Sequence, residues 1–346
     1  MKPKKIQFPK DESKHTTVGE WWYFNGNLKD VKGREYSYMN TLFRAAFPFE
    51  QKKLLKKVPR NDYYIYHSII SDIGHNKFYP HINYIVRTTD DSFRTDGLNV
   101  YFSSANPVKK LKHYYIEQPS HNEYRIKGEN TYLKLTSRKN PLLENQNGYV
   151  NFFNRPTFYY SLTDLETEGI IFVDGKKIEV NGKSWMDHQW SDTYDISKDF
   201  WNWFSIQLEN NIELVCYEYG HKGKSAALAT IIYPDGKMES FHDISIQPTQ
   251  RKWRSAKTKA VYDLSWEIKI PQVKMEFSIE SKVENHEMNF LRINYWESPT
   301  KIAANINGKE IAGFGYMELA GRPSIFNNFN LLKELLDKKI KKRLTG

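Results

Sequence analysis

The residues of this sequence that could carry out acid–base chemistry lie together in one short stretch, residues 182–190. If this stretch is extended, its side chains alternate between two faces, so that Trp185 and Asp187 share one face while His188 and Trp190 share the other. Burial beside an indole raises the pKa of a carboxyl group. Asp187 could therefore stay protonated near neutral pH and donate its proton to a substrate. The alternative is a buried Asp187–His188 hydrogen bond that only fixes a corner of the fold.

Further polar residues lie within or beside segments that are otherwise aromatic. Glu20 precedes Trp-Trp-Tyr, Arg44 ends a strand-like segment, His67 lies among tyrosines and isoleucines, and Asp72 follows that segment. A charge buried in a barrel must be paired. We interpret Glu20, Arg44 and Asp72 as a structural network in which Glu20 pairs with Arg44. His67 could pair with Asp72 or Asp187, and from the centre of its strand it could also face a cavity.

The elements that must hold these residues read as many short β-strands. Asp174-Gly175 and Asn307-Gly308 are strong signals for two-residue hairpin turns. Short strands with turn signals at hairpin spacing predict an all-β protein, and 346 residues suffice for two domains. We predict a flexible N-terminus over residues 1–14, antiparallel β-barrels over residues 15–195 and 196–325, and a basic C-terminal helix over residues 326–346.

The predicted C-terminal helix rests on a leucine-rich stripe at helical spacing, from Leu331 to Ile340. We expect the stripe to dock on a barrel wall and the lysines of the helix to remain free. As an alternative, these lysines could contact an anionic membrane surface peripherally, each contributing about 1 kcal/mol at most.

Composition and charge narrow the class of protein. The chain is 39% hydrophobic and 15% aromatic, and aromatic side chains favour strands and line apolar ligand cavities. The net charge of +10 comes from scattered basic runs, whereas nucleic-acid binding favours one continuous basic face, so we predict no nucleic-acid partner. The single cysteine, Cys216, excludes an intrachain disulfide. Neither a signal peptide nor an apolar run of transmembrane length is visible, and we expect a cytoplasmic protein.

The standard cofactor and metal motifs fail on inspection. Gly223-Lys224-Ser225 ends like a phosphate-binding loop, but Glu218 occupies the position of its first glycine. His286-Glu287 begins like a zinc-protease helix, but Phe290 occupies the position of its second histidine. There is also no paired CxxC, dinucleotide fingerprint or GxSxG elbow. We therefore predict no cofactor and no metal.

Several segments together resemble the carotenoid 1,2-hydratase / AttH-like family of double lipocalin-type barrels over nearly the whole chain. The most specific are Trp-Met-Asp-His at residues 185–188 and Gly-x-Gly-Tyr-x-Glu-Leu at residues 313–319; the others are His-x4-Glu-Trp-Trp-Tyr (15–23), Thr-Leu-Phe-Arg (41–44), residues 67–72, Tyr-Tyr-Ser (159–161), Trp-Asn-Trp-Phe-Ser-Ile-Gln-Leu (201–208) and Tyr-Trp-Glu (295–297). Fungal pericyclases of the Diels–Alderase type are similar in architecture. At two positions the chain departs from the family pattern: Met186 stands where Tyr or Phe is common, and Gln189 where Glu is common.

The resemblance implies two lipocalin- or calycin-like antiparallel β-barrels in tandem, with an apolar ligand in a cavity at or between them. It also implies that Asp187 matches an aspartate that protonates an alkene, with His67 and Trp185 nearby. We therefore predict that the protein hydrates a C=C bond of an isoprenoid or polyketide-like molecule. In this hypothesis Trp185 shields the carbocation, and Asp187 or His67 directs the water. The alternatives are a carrier of hydrophobic metabolites without chemistry, and a cyclase or pericyclase that acts by positioning alone.

The ligand cavity should be lined by aromatic and imidazole side chains of the strands just described. The residues that we expect to contact the ligand are Trp22, Tyr66, Tyr160, His188, Trp190 and Trp203.

Overall fold

The protein is described by a computed structural model over residues 5–45, 63–88, 97–104, 112–193, 199–290 and 293–323. These residues form two large antiparallel sheets in tandem, with short 3-10 turns as the helical content between them. The fold is all-β, as predicted. The predicted C-terminal helix over residues 326–346 lies outside the described residues. No helix in the described ranges is long and apolar enough to span a membrane.

The first sheet follows the chain almost without crossovers. Its spatial order is β10-β11-β12-β1-β2-β3-β4-β5-β6-β7-β8, β9 pairs with β11, and β8 also pairs with β11, so that the sheet curls back on itself. The strands are β1 (Gly19–Asp30), β2 (Glu35–Ala45), β3 (Tyr63–Asp72), β4 (Lys77–Thr88), β5 (Asn99–Ser104), β6 (His113–Ser120), β7 (Glu123–Lys127), β8 (Thr131–Ser137), β9 (Leu142–Leu143), β10 (Tyr149–Phe152), β11 (Arg155–Val173) and β12 (Lys176–Ser191).

The second sheet has the order β16-β15-β14-β13-β24-β23-β21-β20-β17, with β22 paired to β23, and β18 and β19 form a separate ribbon. Its curvature gives a second half-barrel. The strands are β13 (Asp199–Leu208), β14 (Glu213–His221), β15 (Lys224–Ile232), β16 (Met238–Phe241), β17 (Ser245–Pro248), β18 (Lys252–Arg254), β19 (Val261–Asp263), β20 (Ser265–Ile270), β21 (Met275–Ser281), β22 (Glu287–Phe290), β23 (Ile293–Ile306) and β24 (Lys309–Ala320). The exact domain boundaries stay a prediction.

The long hairpins of both sheets close with the turn residues that the sequence signalled. Asp174 and Gly175 join β11 to β12 with φ of 50° and 75°, and Asn307 and Gly308 join β23 to β24 with φ of 52° and 83°. Positive φ at both central positions is the geometry of a type I′ turn, which glycine and asparagine tolerate best. The β11–β12 hairpin is the one that carries Asp187.

Each sheet buries one face in its own core, and the opposite faces pack against each other. Along β1, Trp22 and Phe24 lie in the core of the first sheet, whereas Tyr23 belongs to a cluster between the sheets. Along β13, Phe204 lies in the core of the second sheet, whereas Trp203 joins the cluster between the sheets. This division follows from the two-residue period of a strand. The interface between the sheets is thus a third core, and it is rich in aromatic residues.

Residues 6–13 pack against the first sheet, although their composition predicted a loose segment. The Phe8 ring contacts that of Tyr160 edge to face at 4.8 Å, and Trp22 Nε1 donates a hydrogen bond to the Glu12 carbonyl at 3.0 Å. The Glu12 carboxylate accepts hydrogen bonds from Tyr124 and Gln118. Residues 6–13 are therefore held in place by contacts with residues distant in sequence, and the composition of the segment itself does not predict such contacts.

Candidate active site

Asp187 lies near the centre of the face that the first sheet turns toward the second. On β12 it is directly opposite Tyr23 of β1 and Ser161 of β11, and opposite residues of antiparallel strands point to the same face. Trp185, two residues earlier, belongs to the cluster between the sheets, whereas Trp190 belongs to the core of the first sheet. Trp185 and Asp187 thus share one face, and that face is the interface between the sheets.

The Asp187 carboxyl group is 4% exposed and accepts three hydrogen bonds. Ser161 Oγ and Trp185 Nε1 each donate to Oδ1 at 2.6 Å, and Tyr159 OH donates to Oδ2 at 2.7 Å. Trp203 Nε1 of the second sheet in turn donates to the Tyr159 oxygen at 2.8 Å. Burial raises the pKa of Asp187 and the three hydrogen bonds lower it, with a net value of about 7. The carboxyl group is therefore partly protonated at neutral pH.

The two oxygens of Asp187 have different partners, which decides where a proton resides. An indole N–H can only donate, so Oδ1 must act as an acceptor toward Trp185. Oδ2 faces the Tyr159 hydroxyl, which can accept as well as donate. A proton on Asp187 is therefore best accommodated on Oδ2, where it can form a hydrogen bond to the Tyr159 oxygen or be transferred to a substrate.

The opposite wall of the interface carries two further carboxyl groups. Tyr23 OH donates to Glu297 Oε2 at 2.7 Å, and Glu297 of β23 lies directly opposite Glu318 of β24. Glu318 also lies opposite Trp203 of β13, the residue that contacts Tyr159. Burial raises the pKa of Glu297 well above its ordinary value, and the charge of Glu318 raises it further. Glu297 is therefore neutral at physiological pH.

One part of the interface reaches solvent. Trp21, Phe43, Trp201 and Glu318 are only partly buried, in contrast to Asp187. The rings of Trp21 and Phe43 lie 6.4 Å apart on the first sheet, and the Trp201 indole of the second sheet donates a hydrogen bond to Glu318. We refer to these four partly exposed residues as the opening.

His67 shares the face of Asp187 but does not contact it. The register runs Asp187–Tyr23–Thr41–His67 across four adjacent strands, which separates the ends by roughly 14 Å at ordinary strand spacing. His67 Nδ1 instead forms a hydrogen bond with the Tyr295 hydroxyl of the second sheet. Burial lowers the pKa of His67 to about 3, so the imidazole is neutral at physiological pH. The pairings of His67 with Asp72 or Asp187 that the sequence allowed are wrong.

The side chains predicted to contact the ligand fall on two different faces. Only Trp203 lies in the cluster with Trp185, next to Asp187. The others lie inside the first sheet, because they occupy the alternate positions of their strands; they are Trp22, Tyr66, Tyr160, His188 and Trp190. Residues 6–13 also pack there, so these five side chains do not line the same site as Asp187.

The predicted pair of Glu20 and Arg44 is present, 2.9 Å apart and almost fully buried. His15 and His188 also hydrogen-bond to Glu20, at 2.8 and 2.9 Å. Burial raises the pKa of Glu20, but these imidazole contacts lower it to a net value of about 2. His188 has its own pKa lowered to about 4 by burial, so at neutral pH it donates as a neutral group and Arg44 balances the charge. His188 thus bonds to Glu20, and the alternative Asp187–His188 pair is wrong.

Asp72 is not part of this network. It accepts hydrogen bonds from the backbone and the ring of His75 at the end of β3. Arg44 lies opposite Tyr64 and Asp72 lies opposite Tyr36, so eight residues of strand, or about 27 Å, separate the two groups. The prediction that Asp72 belongs to the network of Glu20 and Arg44 is therefore wrong.

His15, Glu20 and His188 are also close enough to offer three ligand atoms to a metal ion, all within 4.8 Å of one another. Both imidazoles already bond to the same carboxylate oxygen, and the Arg44 cation occupies the other. A divalent cation bound here would be repelled by the fixed positive charge of Arg44, which lies on the other oxygen of the same Glu20 carboxylate. The residues therefore fit a hydrogen-bonded network better than a metal site.

Two open grooves, of about 510 and 380 Å³, lie elsewhere, around Ile306 and Asn307 at the hairpin end of the second sheet. Neither contains Asp187 or any residue of the opening. The titratable groups with shifted pKa values around Asp187 and these two grooves therefore lie in different parts of the molecule. We assign the candidate site by the buried polar groups around Asp187.

Sequence reasoning missed Tyr23, Tyr159, Ser161, Glu297 and Glu318 as parts of this site. Tyr159 and Ser161 alternate with apolar residues on a strand, a signal that two polar groups share one face. Glu318 stood within the most specific late motif, but only the register with Trp203 and Glu297 connects it to Asp187. No local pattern could have provided that connection.

Replacing Tyr159 by phenylalanine should raise the pKa of Asp187 above about 7, because one of the hydrogen bonds that stabilise its carboxylate is lost. The measurement is the titration of the carboxyl band by infrared difference spectroscopy against an Asp187→Asn reference. Tyr160→Phe is the matched control, since Tyr160 is the next residue but faces the core of the first sheet. Equal titrations in Tyr159→Phe and the wild type would contradict the hydrogen-bond assignment.

Comparisons with known proteins agree with this architecture. The AttH-like family profile matches residues 1–322. The crystal structure of a candidate AttH from Nitrosomonas europaea is similar, with 26% sequence identity and a TM-score of 0.77 over 93% of this chain and 98% of that chain. No curated protein matches the chain.

Two further solved structures share the fold at lower identity. Kievitone hydratase from Nectria haematococca has 18% identity and a TM-score of 0.71 over 91% of this chain and 92% of that chain. CghA with Sch210972 has 9% identity and a TM-score of 0.55 over 90% of each chain. At these identities the likeness concerns the fold alone.

Proposed function

The chain belongs to the AttH-like family, and from this premise we propose that it is an enzyme that hydrates a carbon–carbon double bond of a hydrophobic small molecule, with Asp187 as the proton donor. The observation that carries the proposal is a buried aspartic acid with a pKa of about 7 in an aromatic interface. A carrier needs no acid in this state. The hydratase among the proteins of the same fold gives the proposal further support.

The first step is proton transfer from Asp187 Oδ2 to the less substituted carbon of a trisubstituted double bond. The π electrons form the new C–H bond, the O–H bond breaks, and a tertiary carbocation and a carboxylate result. Trp185 and Ser161 hold Oδ1 through hydrogen bonds, so the developing charge on the carboxylate is stabilised without reorganisation. Such general acid catalysis contributes roughly 10²- to 10⁴-fold.

The cation then requires shielding until water arrives. The aromatic rings of Trp185, Trp203 and Tyr23 surround the carboxyl group, with Trp185 and Trp203 edge to face at 6.3 Å. Each ring face can stabilise a cation by about 0.5–2 kcal/mol. Water that enters from the opening adds to the tertiary carbon and loses a proton to a carboxylate of the site, which gives a tertiary alcohol. Positioning within the closed interface supplies the remaining acceleration.

The substrate class follows from these side chains. The walls are aromatic and apolar, and the acid needs an alkene that gives a stable cation, which points to isoprenoid or prenyl groups. A cyclase or pericyclase would use the same walls by positioning alone, and a carrier would use them for binding alone.

An isotope experiment separates the three functions. We would incubate the protein in ¹⁸O-enriched water with kievitone, the molecule named for the related hydratase, and with an acyclic carotenoid that has a trisubstituted terminal double bond, and analyse the products by mass spectrometry. Hydration predicts a product heavier by one water that contains ¹⁸O. An isomer of unchanged mass would indicate a cyclase, and tight binding with no product from either probe would indicate a carrier.

A further inference from the structure

Building on the proposed hydration, we propose that Glu318 is the second catalytic carboxyl group of this site, the base that accepts a proton from the water that adds to the substrate. It lies on the wall opposite Asp187, on a different sheet. The acid and the base would then approach the substrate from two sides.

Two chains of contacts connect Glu318 with Asp187. Trp203, directly opposite Glu318 in the register, donates to Tyr159, which donates to Asp187. Glu297, opposite Glu318 on its other side, accepts from Tyr23, which is directly opposite Asp187. Each chain crosses from one sheet to the other. The two carboxyl groups therefore face the same narrow space.

Glu318 is also the carboxyl group that solvent can reach. Its side chain is partly exposed, whereas Glu297 is 1% and Glu144 0% exposed. Burial nevertheless raises the pKa of Glu318 to about 7, and the charge of Asp187 contributes to the rise while the Trp201 hydrogen bond opposes it. Partial exposure and strong desolvation are compatible when the carboxyl group lies in a recess. Water at the opening would thus meet Glu318 before it meets Asp187.

The charge state suits a base. The titratable groups that face Glu318 are Asp187, Glu297, Tyr23 and Tyr295. Burial raises the pKa of both tyrosines and of Glu297, so these three remain protonated and neutral. Burial raises the pKa of both Asp187 and Glu318 to about 7, and the charge of Asp187 contributes to the rise at Glu318, so the two groups titrate in the same pH range. The form with the proton on Asp187 and the charge on Glu318 has an acid and a base together.

Other groups are poorer candidates for the base. His67 has its pKa lowered to about 3 and bonds to Tyr295, so it binds a proton weakly. Burial raises the pKa of Glu297 and of Glu144 well above the ordinary range, so neither is ionised at neutral pH. Glu318 is the described carboxyl group of this interface that combines partial ionisation with access to water.

The cycle balances with one proton on the pair throughout. Asp187 gives its proton to the alkene carbon. Water forms a C–O bond with the cation and loses a proton to the Glu318 carboxylate, which leaves an alcohol, an Asp187 carboxylate and a protonated Glu318. The return of the proton from Glu318 to Asp187 through solvent restores the reactive form. No oxidant, reductant or other co-reactant is needed.

The kinetic test uses the full chain and the probe that the wild type hydrates. Glu318→Gln should lower kcat by about 10²-fold and remove the limb of the pH profile that reports the ionised base. Glu318→Ala should recover activity in added acetate, which a merely structural role would not allow. Glu310→Gln is the matched control, since Glu310 lies on the same strand as Glu318 but is exposed near the hairpin end of that strand. Wild-type kcat and both pH limbs in Glu318→Gln would overturn the proposal, and if Asp187→Asn alone is inactive in that case, the hydration itself still stands.

A titration tests Glu318 without any substrate. Glu318→Gln should lower the pKa of Asp187, because the charge that opposes its ionisation is removed, whereas Glu297→Gln should leave it unchanged. Infrared difference spectra of the carboxyl bands over pH report this shift. An unchanged Asp187 titration in Glu318→Gln would show that the two groups are not coupled and would overturn the pair. Failure of the wild type to hydrate either probe counts against the proposed function, and this titration then decides the coupling.

Discussion

Asp187→Asn should lower the hydration rate by roughly 10²- to 10⁴-fold, the usual contribution of a general acid. Asparagine has the same shape and retains an oxygen that Ser161 and Trp185 can donate to, but it has no acidic proton. Its amide nitrogen can donate to the Tyr159 oxygen in place of Oδ2. Substrate binding should therefore persist while kcat falls. The measurement is kcat and KM separately, with the probe that gives ¹⁸O-labelled alcohol.

Asp192→Asn is the matched control for this variant. Asp192 lies just after the same strand, is exposed, and contacts the backbone of Val18 rather than the interface between the sheets. Asparagine retains the oxygen that accepts this contact, so wild-type kinetics are expected. Equal rates in Asp187→Asn and Asp192→Asn would rule out Asp187 as the proton donor. A carrier or a cyclase would then become the better hypothesis.

The Asp187→Asn substitution should also stabilise the folded protein near neutral pH. The pKa of Asp187 is about 7 in the folded state against 3.8 for the ordinary group. Below pH 3.8 both states keep the proton, and the acid has no effect on folding. As pH rises toward 7 the unfolded state loses this proton first, so the folded state becomes progressively less favoured, by at most about 4 kcal/mol above pH 7. Asp187→Asn removes this loss, which denaturant unfolding of both proteins between pH 4 and pH 8, about one pH unit at a time, would measure.

The fold was predictable because its signals are local. Alternation along β1 and β12 and the turns at Asp174-Gly175 and Asn307-Gly308 identify long hairpins, and the alternation alone predicts that Trp185 and Asp187 share a face. The order of the strands in each sheet then follows mostly from hairpin connections between neighbours. Local patterns thus determine most of the architecture.

The site was only half predictable because it lies between two sheets. Asp187 could be identified from residue types, but its partners Tyr159 and Ser161 depend on which strand pairs with β12. Glu297 and Glu318 depend on how the second sheet packs against the first. His67 was grouped with Asp187 because both are polar groups in aromatic strands, yet three strand spacings separate them. Packing of distant strands, rather than any local pattern, decides these contacts.

Arg44→Met should destabilise the protein by about 3–5 kcal/mol, because it leaves the Glu20 carboxylate buried without its permanent cation. Glu20 is the second residue of β1 and lies directly opposite Trp190 of β12, so loss of this contact affects the strand that carries Asp187. Methionine fills most of the space of the arginine stem, which limits the cost of an empty cavity. Denaturant unfolding at neutral pH would measure the difference in free energy.

Arg34→Met is the control, since Arg34 is half-exposed in its ion pair with Asp30. Exposed ion pairs contribute only about 0–1 kcal/mol to the free energy of unfolding. The variant Glu20→Gln combined with Arg44→Met should recover part of the loss, because no buried charge then remains.

The pH dependence gives this prediction its sharpest form. The pKa of Glu20 is lowered to about 2 from an ordinary 4.5, so its ionisation stabilises the folded state above pH 4.5, and this contribution is lost as pH falls from 4.5 through 2. Without Arg44 the carboxylate is less stabilised, its pKa rises, and acid unfolding should begin at a higher pH than in the wild type. His188 cannot replace the cation at neutral pH, because burial lowers the pKa of this imidazole to about 4. Equal acid-unfolding midpoints for Arg44→Met and Arg34→Met would mean that the imidazoles alone hold Glu20, and the charge balance assigned to Arg44 would be wrong.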